Sequence, residues 1–324
     1  MICLGVESTA HTFGIGLVKK EKNKKMKVLF ERKDTIKGKE GILPREAAEH
    51  HKNVAIEFFK DLLDYLNDES IKIDLVAFSA GPGLGPCLKI GEIFSKFVAF
   101  RFNLPLVPVN HCQAHIEIGK ELCDLKDPVV LYVSGGNTQI IIEKEGKYWI
   151  VGETMDIAVG NAIDKLARVL SLGFPGGPKI EELAKKGKYV EMPYTVKGMD
   201  FSFSGITTEA EKLFKKGVKA EDICFSFQEH IFSMLTECVE RALSFTNKNE
   251  VLLVGGVAAN QRLNEMLKIM CEERECKFSS VPKEYAGDNG VMIALTGILM
   301  RKHATFDYGS VKPRQRWRIE DVKI

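Results

Sequence analysis

The sequence lacks the features of membrane-inserted and exported proteins. None of its 324 residues belongs to a run of about 18 uninterrupted apolar residues, the length that a membrane-spanning helix needs. No secretory signal peptide opens the chain, since Glu7 and His11 interrupt the short apolar start. We therefore expect a cytoplasmic protein with no membrane partner.

Paired cysteines are also absent, although the chain has eight cysteines. No two of them form a C-x-x-C pair, and the spacings are irregular. Zinc ribbons and disulfide frameworks both depend on regular spacings, so the pattern excludes both and indicates a reduced protein.

The formal net charge is only +2, so the positive charge is local rather than general. Six lysines lie between Lys19 and Lys27, and four cations at positions 312, 314, 316 and 318 surround Trp317. The plain interpretation is a solvated turn and a solvated tail. Contact with a polyanion is the alternative, and both stay open.

The two halves of the chain begin alike. Residues 2–6 are apolar and are followed by the polar segment 7–12 and a second apolar run. Residues 129–133 and 134–138 repeat that order. This pattern predicts a β-hairpin at the start of each half.

Each half also ends alike, with an apolar run that leads into glycines and then a helical pattern. The glycine-rich segments are 81–85 in the first half and 255–260 in the second. The repeated pattern predicts two α/β lobes related by duplication, residues 1–125 and residues 126–324, with a cleft between them. We expect the last helix, Val291 to Leu299, to pack back toward the first lobe.

Four glycine-rich turns are candidates for phosphate binding, since closely approached backbone N–H groups can hold an anion. They lie at residues 81–85, 134–138, 176–177 and 255–256. No Gly-Lys-Ser/Thr follows these glycines, and no G-x-G-x-x-G lies between a strand and a helix, so P-loop and Rossmann sites are excluded. The arrangement is that of the actin-like ATPase and sugar-kinase core, a fold analogy that settles no substrate.

His111 and His115 are spaced to share one face of a helix and bind one metal ion. Two surface or capping histidines are the alternative. A metalloprotease needs a glutamate beside one of the histidines, but Cys112 and Ala114 occupy those positions. The spacing therefore predicts a metal site without protease chemistry.

Two further residues are candidate ligands. Asp288 lies between glycines, directly before an apolar helix, where it can bind the ion or cap the helix N-terminus. Tyr132 ends an apolar strand and can act as a phenolate ligand or as a core tyrosine.

Six motifs occur in the order found in a known family. They are residues 81–85 (GPGLG), 110–115 (NHCQAH), 134–139 (SGGNTQ), 174–178 (FPGGP), 200–205 (DFSFSG) and 255–260 (GGVAAN). In them the chain resembles the universal tRNA threonylcarbamoyladenosine synthase family, formerly described as O-sialoglycoprotein endopeptidases. The sequence around His111 and Tyr132 is similar to that of the archaeal and eukaryotic branch of the family, which is the catalytic subunit of the KEOPS complex.

The resemblance implies a metal-dependent acyl transfer. Threonylcarbamoyl-AMP would give its threonylcarbamoyl group to the adenosine beside the anticodon, in tRNAs that read codons beginning with A, and AMP would leave. The implied ligands of one iron or zinc ion are His111, His115, Asp288 and, for this branch, Tyr132. The implied donor contacts are Tyr132, Val133, Ser134, Gly135, Gly136, Asp164, Gly177, Glu181 and Asn260. Solvated helix charges (Asp164, Glu181) and helix capping (Asn260) are the alternatives from the residues alone.

The resemblance also implies partners: tRNA, a small kinase-like ATPase, a tRNA-binding subunit and a dimerising subunit. The ATPase can be a fused domain beyond Ile324 in a longer natural chain. No residue is identified as a general base, and the role of Glu7 stays open between ATP-linked chemistry and stabilisation of its turn. A small-molecule kinase on the same fold, forming ADP, and a nucleotide-sensing scaffold without turnover are the alternative functions.

Overall fold

The computed structural model describes residues 1–36 and 43–323. The chain divides into two compact units. The first unit comprises Met1–Glu121 and Gly287–Ile324, and the second unit comprises Leu122–Ala286.

The strands and helices of the described residues are as follows. The strands are β1 (Ile2–Glu7), β2 (Thr12–Lys19), β3 (Lys27–Thr35), β4 (Leu75–Gly81), β5 (Leu106–Asn110), β6 (Val129–Val133), β7 (Thr138–Lys144), β8 (Lys147–Glu153), β9 (Val196–Lys197), β10 (Asp200–Phe201), β11 (Glu250–Val254) and β12 (Lys277–Ser280). The helices are α1 (Pro44–Asp68), α2 (Gly85–Phe102), α3 (His111–Cys123), α4 (Val159–Val169), α5 (Gly177–Ala184), α6 (Ser204–Lys215), α7 (Ala220–Thr246), α8 (Gln261–Glu273), α9 (Lys283–Ala286) and α10 (Gly290–Leu299).

The first unit is built on a five-stranded sheet in the order β3-β2-β1-β4-β5. β1 pairs with β2 in antiparallel and with β4 in parallel orientation. The side chains of β2 alternate between two faces, as in any strand. Phe13 belongs to an apolar core with Phe58 of α1 and Phe94 of α2, and its ring meets that of Phe94 edge-on at 5.5 Å.

The other face of this sheet is covered by α10, which packs on β1, β2 and β4. Glycine makes the close approach of helix and strand achievable. A Cβ atom added to Gly5 would lie 2.2 Å from both the amide nitrogen of Ala294 and the carbonyl oxygen of Gly290. The strand surface is therefore shaped to receive this one helix.

The contacts of α10 explain why the division into units differs from the bounds predicted from the sequence. Residues 126–324 were expected to form one lobe, but Gly287–Ile324 belongs to the first unit. Burial of the apolar α10 against the glycines of β1 and β2 is the physical reason.

The second unit has a five-stranded sheet in the order β8-β7-β6-β11-β12. Strand order and orientation match those of the first unit position by position: an antiparallel meander of three strands, then two parallel strands. The predicted duplication and the α/β class are confirmed. Among the described residues, no helix is both long enough and apolar enough to cross a membrane.

Candidate metal centre and glycine-rich turns

Asn110 fixes the start of the helix that carries both histidines. Its side-chain Oδ1 accepts hydrogen bonds from the backbone amides of Cys112 and Gln113, at 2.9 and 3.2 Å. This is the hydrogen bonding of an N-cap, and α3 begins at His111. His111 and His115 then lie one turn apart on the same face, with ring centroids 4.8 Å apart.

Asp288 completes a cluster with the two histidines. Its Oδ1 lies 3.4 Å from Nε2 of His111 and 3.3 Å from Nε2 of His115. The three ligand atoms lie within 4.8 Å of one another, and both histidines are buried. Two ligand atoms that are each about 2.0 Å from one tetrahedral ion lie roughly 3.3 Å apart, so the two distances to Asp288 fit a shared ion. Two imidazole nitrogens and a carboxylate oxygen suit zinc and iron alike.

At the start of α10, metal binding and helix capping fall to two different residues, although the sequence had suggested Asp288 for both. The side chain of Asn289 caps the helix, since its Oδ1 accepts from the amide of Met292 at 2.9 Å. Its Nδ2 donates to the carbonyl oxygen of Gly287 at 2.8 Å. Asp288 is thereby left available to face the histidines.

Glu7 orients His111 from the side opposite Asp288. Its Oε2 lies 3.0 Å from Nδ1 of His111, and its side chain is fully buried. The amide and the hydroxyl of Thr9 both donate to the other oxygen, Oε1, at 2.6 Å. A carboxylate that accepts from Nδ1 leaves Nε2 of the imidazole free to bind a metal ion. No local sequence pattern predicts this pairing, because the two residues are 104 positions apart in the chain.

The cluster is electrostatically coupled. Burial opposes charge on His111, but the carboxylates of Glu7 and Asp288 outweigh it and raise its pKa to about 9. Burial lowers the pKa of His115, with Asp288 acting against that effect and His111 adding to it. Although burial works in the opposite direction, the two histidines hold the pKa of Asp288 well below its usual range. Asp288 is therefore an anion at neutral pH, as a metal ligand must be.

The predicted donor contacts lie in the second unit. Tyr132 and Val133 are buried at the end of β6. The turn after them is held by Ser134, whose amide donates to the carbonyl of Asn137 at 2.8 Å, while Gly135 and Gly136 are exposed. The carbonyl oxygen of Ser134 also accepts from the amide of Gly160, at the start of α4, at 3.2 Å. Tyr132 thus belongs to a different unit from the histidine cluster.

Hydrogen bonds connect the remaining predicted contacts. Asp164 of α4 accepts from the amide of Gly176 at 2.8 Å, directly before Gly177 begins α5. Glu181 of α5 accepts from the amide of Gln261 at 2.8 Å. Asn260 caps α8, since its Oδ1 accepts from the amide of Leu263 at 3.1 Å. The capping role that the residues alone indicated for Asn260 is thereby observed.

A cavity of about 440 Å³ adjoins this network in the second unit. Its lining includes Glu181, Gln228, Gln261 and Arg262. Nδ2 of Asn260 donates to Gln228 at 3.2 Å, which ties the α8 cap to the cavity wall. The sequence did not predict this cavity, because its wall is assembled from three separate helices.

Comparison of the sequence with known families agrees with the resemblance. A family model described as TsaD, tRNA N6-adenosine threonylcarbamoyltransferase, matches residues 26–295. The tRNA N6-adenosine threonylcarbamoyltransferase of Archaeoglobus fulgidus is 52% identical, over 100% of this chain and 99% of that protein. That of Thermococcus sibiricus is 51% identical, over 100% and 99%. A probable bifunctional tRNA threonylcarbamoyladenosine biosynthesis protein of Methanocaldococcus jannaschii is 50% identical over 99% of this chain, which spans 60% of it.

Solved structures with low sequence identity share the fold. HypF of T. kodakarensis has a TM-score of 0.63 at 16% identity, over 93% of this chain, which spans 48% of it. The activator of the 2-hydroxyisocaproyl-CoA dehydratase from Clostridium difficile has a TM-score of 0.52 at 11% identity, over 93% of this chain and 96% of that one. These two likenesses concern the fold alone, whereas the sequence matches extend over the whole chain. The chain belongs to the tRNA N6-adenosine threonylcarbamoyltransferase family.

Proposed function

We propose that the chain transfers a threonylcarbamoyl group from threonylcarbamoyl-AMP to the adenosine beside the anticodon of tRNAs that read codons beginning with A, releasing AMP. The observation that carries this proposal is the convergence of His111, His115 and Asp288 in a family member that matches its relatives along its whole length. A metal site without a protease glutamate suits acyl transfer better than peptide hydrolysis.

The resident metal ion is iron or zinc, held by His111, His115 and Asp288, with Tyr132 as the further ligand that the resemblance adds. When bound, the ion supplies a positive charge that can anchor the threonyl moiety and polarise a nearby oxygen. Glu7 keeps Nε2 of His111 available, and Thr9 keeps Glu7 in place. These side chains position the ion's ligands and exclude water, since Glu7 and both histidines are buried.

The nucleotide part of the donor is held by the second unit. The exposed glycines after β6 allow a phosphate to approach backbone N–H groups closely, as does the turn that leads into Gly177. Glu181 can accept from the ribose hydroxyls, and Asp164 keeps the Gly176 turn in shape. Attack by the adenosine amine places negative charge on the carbonyl oxygen and on the departing phosphate, which preorganised donors would stabilise. Positioning of two large substrates supplies much of the remaining acceleration.

The proposal includes partner proteins and a cytoplasmic location. Two bifunctional relatives, of Methanocaldococcus jannaschii and Methanobrevibacter smithii, carry further sequence, since this chain spans 60% of each. This supports a fused or separate small kinase-like ATPase as one partner. A tRNA-binding subunit and a dimerising subunit of the KEOPS type are the others.

The test is AMP release from synthetic threonylcarbamoyl-AMP, with the chain, its partner subunits and an unmodified tRNA transcript. We expect release to depend on the tRNA and to fall at least 100-fold in His115→Ala protein. A transcript with guanosine in place of the target adenosine is the control and should give no transfer. ADP formation with a small acceptor would indicate the kinase alternative. Binding of the partners without any turnover would indicate the scaffold.

A Tyr132→Phe variant tests the fourth ligand separately. With ferric iron, coordination by a phenolate gives a visible charge-transfer absorption, which a phenylalanine cannot produce. We expect the iron-loaded wild type to show this band and the variant to lose it. Identical spectra would remove Tyr132 from the ligand set and leave the other three ligands unaffected.

A further inference from the structure

The segment from Lys312 to Arg318 has no regular secondary structure, yet its backbone is anchored at three points. The amide of Arg314 donates to the carbonyl of Ala80 at 2.6 Å. The carbonyl of Gln315 accepts from the amide of Gly83 at 3.2 Å, and that of Trp317 accepts from the side chain of Asn110 at 3.1 Å. The indole of Trp317 packs against the core of the first unit. We call residues 312–318 the basic loop.

Its anchors place the basic loop beside the histidine cluster, within the same unit. Asn110, which holds the carbonyl of Trp317, directly precedes His111 and caps its helix. The turn that contains Gly83 is joined to Thr9, since the amide of Leu84 donates to the carbonyl of Thr9 at 2.8 Å. The hydroxyl of Thr9 in turn lies 3.3 Å from Nδ1 of His111. Two short chains of contacts therefore connect the basic loop to one metal ligand.

The charges of the basic loop are displayed to solvent. Lys312, Arg314 and Arg316 are exposed and have no ion-pair partner among the described residues, whereas Arg318 pairs with Glu320 at 3.0 Å. The guanidinium of Arg314 lies over the ring of Trp317, 4.9 Å from its centroid. Since all three anchors are made through the backbone of the loop, the fold does not require these cationic side chains.

The other basic segment behaves differently. Lys19 and Lys24 form ion pairs with Glu21, and Lys20 with Glu121. Three of its six lysines are therefore paired, whereas Lys22, Lys25 and Lys27 form no ion pair among the described residues. The basic loop differs because Lys312, Arg314 and Arg316 stand on a backbone that is anchored next to the histidine cluster, as a site for an external anion requires.

We propose that the basic loop binds the sugar-phosphate backbone of the tRNA substrate, next to the histidine cluster. This inference rests on the proposed function, which makes an RNA polyanion the substrate. Guanidinium groups match phosphate oxygens with paired N–H donors, and each neutralised phosphate releases bound counterions. Because the loop is already ordered, its cations bind with little further loss of backbone entropy.

The test measures binding of an unmodified tRNA transcript to the full chain, without donor and without turnover. The variant is Lys312→Gln/Arg316→Gln, which keeps the Arg314–Trp317 contact and all three backbone anchors. The control is Lys72→Gln/Lys216→Gln, which removes the same charge from exposed lysines that form no ion pair among the described residues. Dissociation constants are measured between 50 and 300 mM salt, roughly the range in which phosphate contacts dominate the salt dependence.

We expect the loop variant to bind tRNA on the order of 10-fold more weakly at about 0.15 M salt, and its salt slope to fall by about 1 for each lost phosphate contact. The control variant should bind like the wild type. Equal affinity and equal slope in the two variants would overturn the proposal, as would a wild-type chain that does not bind tRNA. Loss of partner-subunit binding with tRNA binding unchanged would also overturn it and would assign the loop to an acidic protein surface.

The two proposals fail in distinguishable ways. If the loop variant loses tRNA affinity as expected but the wild type transfers no threonylcarbamoyl group with all partners present, the proposed function fails and the RNA surface stands. If transfer proceeds normally but the loop variant keeps full tRNA affinity, the proposed function stands and the RNA surface fails. Metal content, measured in both variants, should equal that of the wild type.

Discussion

Nδ1 of His111 and Oε2 of Glu7 lie 3.0 Å apart in the buried centre of the first unit, although the two residues are 104 positions apart in the chain. The pairing suits a metal site, because a carboxylate that accepts from one ring nitrogen leaves the other nitrogen for the ion. Thr9 holds the far oxygen of Glu7 with two donors. The β1–β2 turn therefore acts as a support for the histidine cluster.

Replacement of Glu7 by glutamine should weaken metal binding. The glutamine Oε1 can still accept from Thr9, which turns its NH₂ group toward Nδ1 of His111. Nδ1 must then be the acceptor, so the proton moves to Nε2 and blocks the position that binds the ion. We expect Glu7→Gln to lower the affinity for zinc about 10- to 100-fold, measured by competition with a chelator.

Glu92→Gln is the matched control for that experiment. Glu92 is also a buried glutamate of the first unit, but its partners are Lys89 and Lys96 rather than a histidine. The zinc affinity of Glu92→Gln protein should equal that of the wild type. Equal zinc affinity in Glu7→Gln protein and in the control would show that Glu7 does not set the tautomer of His111.

Two adjacent residues at the start of α10 should separate metal binding from stability. Asp288→Asn removes the anionic ligand but leaves the cap, so we expect loss of the metal with a small change in the free energy of unfolding of the metal-free protein. Asn289→Ala removes the cap and should cost about 1 to 2 kcal/mol, with metal retained. Metal analysis and denaturant unfolding of both metal-free variants measure the two effects. The reverse assignment of effects would mean that Asp288 is the capping residue.

Local patterns were sufficient to predict much of the fold. The alternation of apolar residues and the glycine-rich turns indicated the duplicated hairpins and the helices after the turns, which are α2 and α8. The edge strands β3 and β8 were not predicted, because both are partly exposed and β3 also carries five charged side chains among its nine residues. His111, His115 and Asp288 were predicted as one cluster, and the structure brings them together.

The remainder depends on tertiary structure. The side-chain rotamers of Asp288 and Asn289 decide which of the two residues caps α10. The spacing of residues in a sequence carries no information about rotamers. The Glu7–His111 contact requires the sheet to bring the end of β1 next to the start of α3. The roles of Tyr132, Asp164, Glu181 and Asn260 toward the donor stay predictions.

Gly5 should be intolerant of any side chain. Its Cβ would meet backbone atoms of α10 at 2.2 Å, and a helix backbone has little room to move away. We expect Gly5→Ala to destabilise the protein by about 3 kcal/mol or more and to weaken metal binding, because α10 carries Asp288 at its start. Gly205→Ala is the control: nothing lies within 4 Å of that Cβ, and alanine favours the α6 helix. Chemical denaturation should show a lower free energy of unfolding for Gly5→Ala and a slightly higher one for Gly205→Ala. Equal stability of the two variants would contradict the close packing of α10.

His51 should make stability fall in mild acid. It is buried on α1, with its ring 5.6 Å from that of Phe13, and burial and the neighbouring His50 lower its pKa to about 4. His50 itself contacts Asp34 of β3 at 2.8 Å; the charge of His11 also lowers the pKa of His51, and a hydrogen bond with the backbone of Ala10 acts against the lowering. In the unfolded chain the pKa of a histidine is about 6.5, so between pH 6.5 and 4 the unfolded state binds more protons than the native state.

Stability from this residue is therefore fully present above about pH 6.5 and is lost as the pH falls toward 4, by an amount on the order of 3 kcal/mol. His51→Gln, which is neutral at every pH, should flatten the dependence of the urea midpoint on pH in this window. His230→Gln, on α7 of the second unit, is the control and should keep the wild-type slope. If His51→Gln protein loses stability between pH 6.5 and 4 as steeply as the wild type does, another group carries the acid sensitivity, because a neutral side chain at position 51 cannot take up the proton.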